Sequence, residues 1–397
     1  MTIEKKLTGT YKGMWMVRAQ VQIDGKMHST KRHYVKTKTE AKHLEEALKA
    51  KLRETQTQSV LDQRFDKAFD SYIEKRHVAW SVTTLKAWRF TQRRLSEYMP
   101  HYTAKIRAIT YSDIFTFARS YQQAKQLKVS KDGTLNRTLQ HLRTFFRAEQ
   151  VNPSPCPPAP MRVIFNRREI SKPVREKVTF TDSEIHRLKA KIFSDLKKLP
   201  VKKQASRVMI LILLDTGMRP EEAQALQWSD LMNEQGHHVF TLSHAWSEQG
   251  KDFTQGLKGR YQGQTHRTLP LTRPVYEALM EYRSKQDLYL HENGINDWGD
   301  LLFPVMTDYR MASQGKPITQ TTPRLLLQDM CKQLGIDKHV TLYTFRHTVA
   351  SSWVKSSRDW AFVADRLGTS ILQLQKTYAH ASQDPAEVGK LLASQDA

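Results

Sequence analysis

Five prolines stand within nine residues near the middle of the chain, in Asn152-Pro153-Ser154-Pro155-Cys156-Pro157-Pro158-Ala159-Pro160. Proline has no amide hydrogen and a fixed φ, so neither a helix nor a central strand suits this segment. Basic residues continue from there to Arg175. We therefore predict an extended linker over residues 153–176, with folded domains on both sides of it.

A small domain is predicted over residues 1–55. Residues 15–21 alternate apolar and polar side chains, as a half-buried strand does. Asp24-Gly25 is a hairpin signal, and Thr39 is expected to cap the helix that follows the strands. The expected structure is a three-stranded sheet backed by one helix.

Residues 60–152 have the apolar spacing of helices and no strong strand signal. A polar linker over residues 56–60 is expected to precede them. Ser81 is expected to begin one helix, and two more are predicted over residues 114–123 and 134–147. This part is therefore predicted to be a helical domain.

The third predicted domain, residues 177–397, mixes helices with short strands and ends in a tail. Its apolar run over residues 206–214 predicts a buried helix that ends near Gly217, and strands are expected at residues 239–242 and 268–271. The predicted fold class is a multidomain, mainly α protein with small β-sheets.

The charge of the chain limits its function. Lys and Arg number 63 against 40 Asp and Glu, which gives a formal net charge of +23 at pH 7. Such an excess indicates a polyanionic partner, with a basic membrane-surface protein as the main alternative. No stretch approaches the roughly 18 apolar residues of a spanning helix, and residues 1–6 lack the apolar core of a secretory signal. Cys156 and Cys331 are too few for a disulfide framework or a thiolate metal site. We expect a cytoplasmic protein without a metal that binds DNA or RNA.

Basic side chains gather on the open face of the first predicted sheet and on the polar faces of the predicted helices. Basic faces of this kind often contact only solvent. The functional alternative is that these side chains contact the phosphates of DNA. The predicted DNA-binding residues are Arg18, Lys31, Arg32, Arg89, Arg93, Arg137 and Arg143.

Two arginine motifs and a late tyrosine carry the chemistry. Arg219 follows the apolar run in Thr216-Gly217-Met218-Arg219-Pro220, and Arg346 opens an apolar helical segment. A Leu367-Gly368 turn comes next, and Tyr378 lies nine residues after Thr369. Guanidinium groups are planar, permanently charged and able to bind two oxygens, so two of them suit a phosphodiester under attack. A tyrosine hydroxyl nearby predicts a covalent phosphotyrosyl intermediate.

In order and spacing, these motifs resemble those of the tyrosine recombinases of the phage-integrase family. The first predicted domain resembles the arm-binding domain of that family, and residues 60–152 resemble its helical core-binding (SAM-like) domain. The resemblance implies a site-specific DNA recombinase, an integrase of a phage or other mobile element, that needs neither metal nor nucleotide cofactor. It also implies double-stranded DNA with core and arm sites as partner, a homotetramer on the DNA, DNA-bending or excisionase accessory proteins, and a bacterial cytoplasmic location.

The resemblance assigns roles to five residues. Tyr378 is the nucleophile, and Arg219 and Arg346 clamp the phosphate. Glu222 is expected to orient the site rather than react, with an ordinary helix salt bridge as the alternative. His347, adjacent to Arg346, is expected to make a structural hydrogen bond, with a contribution to the site as the alternative.

Two positions depart from the family pattern. Tyr343 stands where a histidine is usual, and Thr369 stands where histidine or tryptophan is usual. A hydroxyl can donate a hydrogen bond to a phosphate oxygen but is a poor general base near neutral pH.

A lysine on a strand hairpin protonates the departing 5′ oxygen in this family. The position seven residues before Leu269 is Gln262, so Lys258 is the candidate if the hairpin is longer, with Lys251 and Arg260 as alternatives.

Two other functions fit the same residues, and a third does not. A catalytically degenerate, sequence-specific DNA-binding protein fits the two departures, and a type IB topoisomerase shares the chemistry without exchanging partners. A metal-dependent nuclease is disfavoured, because no acidic cluster has ligand spacing.

Overall fold

The computed structural model describes residues 3–23, 26–171, 177–258, 263–295, 300–306, 316–357 and 359–378, without the side chains of Ile23, Lys26 and residues 53–59. The chain divides into two compact units, Met1–Pro173 and Val174–Ala397. The described residues are mainly helical with small sheets, so the predicted fold class is confirmed. Within these ranges, no helix combines the length and the apolar character that a membrane span requires.

The first unit begins with five short strands and a long helix. The strands are β1 (Ile3–Lys5), β2 (Trp15–Val17), β3 (Gln20–Ile23), β4 (Lys26–Ser29) and β5 (His33–Val35), and the helix is α1 (Lys38–Leu61). One antiparallel sheet has the order β1-β2-β5, while β3 and β4 pair separately. The predicted strand over residues 15–21 is thus two strands in different sheets. The predicted Asp24-Gly25 turn lies outside the described residues.

The start and the end of α1 both differ from the prediction. Thr37, not Thr39, caps the helix: its Oγ1 accepts from the Glu40 amide at 3.2 Å, and Glu40 Oε2 accepts from the Thr37 amide at 3.1 Å. The helix continues through residues 56–60, where a linker was expected. A polar stretch without glycine or proline can remain helical, so polarity alone does not indicate a linker.

Five further α-helices follow in the described part of the first unit. They are α2 (Phe65–Arg76), α3 (Val82–Tyr98), α4 (Tyr111–Ala124), α5 (Thr134–Ala148) and α6 (Pro160–Ile164). The three predicted helices are confirmed, and the Ser81 hydroxyl accepts from the Thr84 amide at 3.2 Å as the expected cap. Aromatic side chains of α2 and α5, including Phe65, Phe69 and Phe145, fill the core.

The proline-rich segment is not extended throughout. Proline fits the first turn of a helix, and Pro160 begins α6 there. Cys156, Met161 and Phe165 are buried in the core of the first unit. The two units separate after Pro173, inside the predicted linker. The division of residues 1–152 into an arm-binding and a core-binding domain stays a prediction.

The second unit surrounds one apolar helix. Its helices are α7 (Asp182–Lys198), α8 (Ala205–Thr216), α9 (Pro220–Gln224), α10 (Arg273–Glu292), α11 (Thr321–Gln333), α12 (Leu342–Ser356), α13 (Trp360–Arg366) and α14 (Ile371–Tyr378). Helix α8 packs against α7, α10, α11 and α12, and its residues from Val208 to Leu213 are fully buried. This is the buried helix that the apolar run predicts.

A three-stranded antiparallel sheet of the order β10-β7-β6 lies in the second unit, with a two-stranded hairpin of β8 and β9. The strands of the second unit are β6 (Leu231–Glu234), β7 (His237–Leu242), β8 (Trp246–Ser247), β9 (Asp252–Phe253) and β10 (His266–Arg267). The strand expected at residues 239–242 is confirmed within β7. The strand expected at residues 268–271 is displaced to His266–Arg267, since Pro270 has no amide hydrogen for the ladder.

A second, smaller core joins the last three described helices. Val349 of α12, Val363 of α13, and Leu374 and Tyr378 of α14 are buried together beside Leu269. This packing brings the end of α14 beside α12. The predicted tail after Tyr378 lies outside the described residues.

Candidate active site

The turn after α8 sets the position of Arg219. Gly217 ends the helix in the left-handed conformation, with φ +62°, and a Cβ there would lie 2.9 Å from Val349 and 3.0 Å from Leu367. Only glycine fits this approach. Arg219 follows as the residue before α9, whose first position is Pro220.

Glu222 and a distant turn hold the Arg219 side chain. Glu222 Oε1 accepts from Arg219 Nη1 at 2.7 Å, and Oε2 accepts from the Arg219 amide at 2.8 Å. Arg219 Nη2 donates to the carbonyl of Gly368 at 2.8 Å. Glu222 is only 2% exposed, so this ion pair is well protected from solvent. Glu222 therefore orients Arg219.

Arg346 lies on the first turns of α12 and is 9% exposed. Its Nη1 donates to the carbonyl of Gly217 at 3.1 Å and its Nη2 to the carbonyl of Leu367 at 2.7 Å. Burial and the neighbouring Arg219 lower the pKa of Arg346. The two carbonyls offset part of the cost of this buried charge.

Tyr378 and His347 form a hydrogen bond, with 2.7 Å between Oη and Nδ1. Burial raises the pKa of Tyr378 to about 12, although Arg346 opposes the shift. Burial, Lys177 and Arg346 lower the pKa of His347 to about 4. Near pH 7 the phenol therefore keeps its proton and the imidazole is neutral. With the imidazole proton on Nε2, the hydroxyl donates and Nδ1 accepts.

One pocket of about 280 Å³ collects these groups. Its lining includes six residues that the sequence motifs single out: Arg219, Tyr343, Arg346, His347, Thr369 and Tyr378. Two guanidiniums and a tyrosine hydroxyl on one concave surface can bind a phosphodiester and attack it.

The two departing positions occupy the same pocket. Tyr343 Oη lies 2.9 and 2.8 Å from the two carboxylate oxygens of Glu221 and donates its one proton to that carboxylate. Burial and Glu221 raise the pKa of Tyr343. Thr369 is half-buried, and its amide donates to Ala364 at 2.9 Å.

Lys251 and Lys258, two candidate proton donors, follow β8 in the chain. Lys258 is exposed and is not among the residues that line the described pocket. Lys251 follows β8 and lies 3.5 Å from Glu248, while Arg260 and Gln262 fall outside the described residues. The role of Lys258 stays a prediction.

Sequence reasoning missed two residues at the site. Lys177 lines the pocket, but it follows the basic linker and so belonged to no motif. His266 is 4% exposed, and a Cβ on Gly368 would lie 2.6 Å from its ring. No local pattern marks either contact. Across the described parts of the chain, no three His, Cys, Asp or Glu side chains gather as metal ligands.

The predicted DNA-contacting residues lie in the first unit. Arg18 and the adjoining Lys31 and Arg32 line a cavity of about 470 Å³, in which Arg18 Nη2 donates to Ser29 Oγ at 2.8 Å.

The predicted contacts on the helices differ in their ion pairing. Arg89 pairs with Asp70 at 2.6 Å and with Glu74, and Arg93 pairs with Glu97 at 2.9 Å. On α5, Arg137 is exposed and Arg143 half-buried. Acidic partners thus already bind two of these guanidiniums, and DNA contact by all seven basic residues stays a prediction.

Residues 181–384, just over half of the chain, match the model of the phage integrase family. The chain belongs to this family. Within the phage integrase family, it is 25% identical over 181 residues to tyrosine recombinase XerC of Pediococcus pentosaceus, an alignment that covers 44% of this chain and 48% of that protein. It thus spans about half the length of that relative.

Two further comparisons cover more of the chain. XerC of Staphylococcus carnosus is 23% identical over 317 residues, which are 78% of this chain and 90% of that protein. The solved structure of the Tn1549 transposon integrase in complex with transposon right end DNA is similar with a TM-score of 0.62 and 19% identity, over 84% of this chain and 100% of that one. At this identity, the structural likeness supports the fold.

Proposed function

We propose that this protein is a site-specific DNA recombinase, an integrase of a mobile element, that cuts and rejoins DNA through a 3′-phosphotyrosyl intermediate. One observation carries the proposal. The Tyr378 hydroxyl shares a single pocket with Arg219 and Arg346, and the backbone of Gly217, 129 residues from Arg346, helps to hold that arginine. Family membership supports the same chemistry.

The two arginines bind the charge that develops on the phosphate. A phosphodiester under attack becomes a five-coordinate centre with negative charge on its non-bridging oxygens. Arg219 and Arg346 carry permanent charge, and Glu222 and the backbone hold them before substrate arrives. Preorganised donors of this kind stabilise the transition state without a reorganisation cost.

Tyr378 conserves the energy of the broken bond. Its oxygen replaces the 5′ oxygen on phosphorus, and the covalent intermediate is then attacked by the 5′ hydroxyl of another strand. Rejoining therefore requires no nucleotide. Lys258 is our proposed proton donor to the departing 5′ oxygen.

The DNA partner follows from charge and from the relatives. The cavity beside Arg18, Lys31 and Arg32 offers three cations to a phosphate backbone. The structure of the Tn1549 integrase is a complex with transposon DNA, which supports a transposable or phage element as the source of the substrate. Exchange between two duplexes needs four strand cuts, so we propose a homotetramer on core sites, with arm sites for the first domain. We also propose DNA-bending or excisionase partners and action in the bacterial cytoplasm.

Covalent trapping tests the proposal. A randomised duplex pool is incubated with the full chain, protein–DNA adducts are isolated under denaturing conditions, and the recovered sequence is rebuilt as a nicked suicide duplex. We expect an adduct on the 3′ phosphate with wild type and none with Tyr378→Phe.

The matched control is Tyr343→Phe, which removes a hydroxyl from the same pocket and should still form the adduct. A wild-type protein that binds the selected DNA but never forms an adduct would make it a DNA-binding protein without this chemistry. Persistence of the adduct in Tyr378→Phe would remove Tyr378 as nucleophile.

A further inference from the structure

The hydrogen bond between His347 Nδ1 and Tyr378 Oη, at 2.7 Å, joins an imidazole to the atom that forms the new bond to phosphorus. The rings are tilted by 53° with centroids 5.9 Å apart, so they do not stack and the hydrogen bond is the close contact between them. The two residues lie on α12 and α14, which the small core beside Leu269 packs together.

We propose that His347 is the general base of the reaction and accepts the Tyr378 proton while the phenolic oxygen attacks the phosphodiester. This inference rests on the proposed function and adds a catalytic residue to it. It supplies the base that Tyr343 and Thr369, as hydroxyl residues, do not supply.

The surrounding groups leave His347 as the acceptor. Arg346 from α12, Arg219 from the turn before α9 and Lys177 from the segment before α7 all line the pocket, but each is a cation. The Glu222 carboxylate is bound to Arg219, and the Glu221 carboxylate accepts from Tyr343. Among the side chains that the structure describes in this pocket, the imidazole is the neutral base within hydrogen-bond distance of Tyr378 Oη.

The relative acidities determine when the proton moves. In the protein without DNA, the pKa of Tyr378 is about 12 and that of His347 about 4, so the proton remains on the phenol. As the bond to phosphorus forms, the phenolic oxygen loses its affinity for the proton. Transfer to Nδ1 then accompanies the attack instead of preceding it.

The phosphate itself favours this transfer. Lys177 and Arg346 both lower the pKa of His347, and an anion bound between them opposes that effect. The imidazole therefore becomes a better base when DNA occupies the pocket. An empty pocket keeps the nucleophile protonated.

The atoms balance through the step. The bond from Tyr378 Oη to phosphorus forms, the bond from phosphorus to the 5′ oxygen breaks, and the phenolic proton goes to His347 Nδ1. The departing 5′ oxygen takes its proton from a separate donor, Lys258 in our proposal or water. In rejoining, the 5′ hydroxyl gives its proton back to that donor as its oxygen attacks phosphorus, and His347 returns its proton to the departing tyrosine oxygen.

Single-turnover cleavage by two variants tests the role. His347→Asn keeps a carbonyl oxygen near the position of Nδ1 and can still accept the hydrogen bond, but it cannot take up the proton. His347→Phe removes both functions. The substrate is the nicked suicide duplex, used once with an ordinary phosphodiester and once with a 5′-bridging phosphorothiolate, whose sulfur leaves without protonation.

We expect His347→Asn to cleave about 100-fold more slowly than wild type on both substrates, because general base catalysis contributes roughly that factor. Lys258→Ala should be slow on the phosphodiester and restored by the phosphorothiolate, since only the leaving-group proton is missing there. DNA affinity by fluorescence anisotropy and the thermal unfolding midpoint check that the two His347 variants and Lys258→Ala are folded.

The pH profile distinguishes a base from a residue that only positions Tyr378. A bound phosphate should move the pKa of His347 from about 4 toward its ordinary value of about 6.5. Wild-type cleavage should fall with a slope of one below the pKa that His347 has in the DNA complex, and His347→Asn should lack this limb. The wild-type profile can be measured whether or not the variants fold.

Cleavage by His347→Asn at the wild-type rate overturns the role. So does a wild-type profile without the acid limb. Either result would leave the phosphotyrosyl chemistry intact, whereas a wild type without any adduct would remove the proposed function itself.

Discussion

Arg219 and Arg346 donate hydrogen bonds to neighbouring carbonyl oxygens of one turn, Arg219 to Gly368 at 2.8 Å and Arg346 to Leu367 at 2.7 Å. Consecutive Cα atoms are about 3.8 Å apart, so the backbone of the turn fixes the separation of the two guanidiniums. Each guanidinium has five N–H donors, and these contacts leave others for a phosphate. The turn therefore acts as a template for the clamp.

Glu222→Gln should weaken both stability and cleavage. The carboxylate accepts from the Arg219 amide and from Nη1, and an amide group would direct N–H donors at one of them. We expect a loss of about 1–3 kcal/mol in the free energy of unfolding and a fall of about 10- to 100-fold in the cleavage rate. Denaturant unfolding and adduct formation measure the two effects.

The neighbouring Glu221→Gln is the control for this change, because Glu221 is half-buried and accepts from Tyr343 outside the arginine pair. Its unfolding free energy should stay within about 0.5 kcal/mol of wild type. Equal effects of the two substitutions would contradict a special role of Glu222.

Gly368→Ala should disrupt the template turn. Gly368 has φ +60°, and its added Cβ would lie 2.6 Å from the His266 ring, which is itself buried. Gly294→Ala is the matched control, since Gly294 has φ +66° with open space around it. The strain of positive φ costs about 1 kcal/mol in both, and the clash should add about 2 kcal/mol at Gly368 alone.

Cleavage separates these two glycine variants further. Gly368→Ala should lose at least about 100-fold in rate because the carbonyls that hold both arginines move. Gly294→Ala should cleave like wild type. A Gly368→Ala protein with normal cleavage would show that the turn does not set the clamp.

Tyr343→Phe should alter cleavage by less than about threefold. The Tyr343 hydroxyl donates to Glu221, so its proton is not available to a phosphate oxygen in this arrangement. Single-turnover rates on the suicide duplex provide the measurement. A loss above about tenfold would mean that the hydroxyl leaves Glu221 and binds the phosphate when DNA is present.

Acid should destabilise the protein through the half-buried His141. Burial, Arg137 and Arg94 lower the pKa of His141 to about 4 in the folded state, from an ordinary value of about 6.5. The unfolded chain therefore binds more protons between these values, and the free energy of unfolding falls as the pH drops from 6.5 to 4. Above pH 6.5 this contribution is constant.

Urea unfolding at pH 7 and pH 4.5 measures this effect. We expect His141 to account for about 2 kcal/mol of the difference, less than full burial would give because the ring keeps some solvent contact. His141→Phe retains the stacking on Trp88 without titration. A variant with the same pH dependence as wild type would exclude His141 as the source.

Helix positions could be predicted from the sequence where the signals are local. The Ser81 cap and the apolar run of α8 involve residues within a few positions of one another, and both predictions are confirmed. The linker at residues 56–60 was wrong because solvated helices and linkers share a polar composition. The prediction of an extended linker over residues 153–176 was wrong in part, because proline starts a helix as readily as it ends one and Pro160 begins α6.

The site was predictable in its reactive groups but not in its contacts. Arg219, Arg346 and Tyr378 stand in motifs whose chemistry can be read from residue type. The partners of Lys177 and His266 depend on packing between segments that are far apart in the chain, and no local pattern encodes such packing. The hydrogen bond between His347 and Tyr378 joins two helices and residues 31 positions apart. Residue spacing alone therefore favoured a structural role for His347.

The contact between Arg219 and Gly368 joins positions 149 residues apart. A nascent polypeptide that has left the ribosome only as far as α12 has both guanidiniums but neither the turn that aligns them nor Tyr378. On the proposed mechanism, strand breakage therefore requires that synthesis has passed Tyr378 and that α14 has folded against α12. Copies truncated before Tyr378 would lack the proposed nucleophile and would form no covalent adduct.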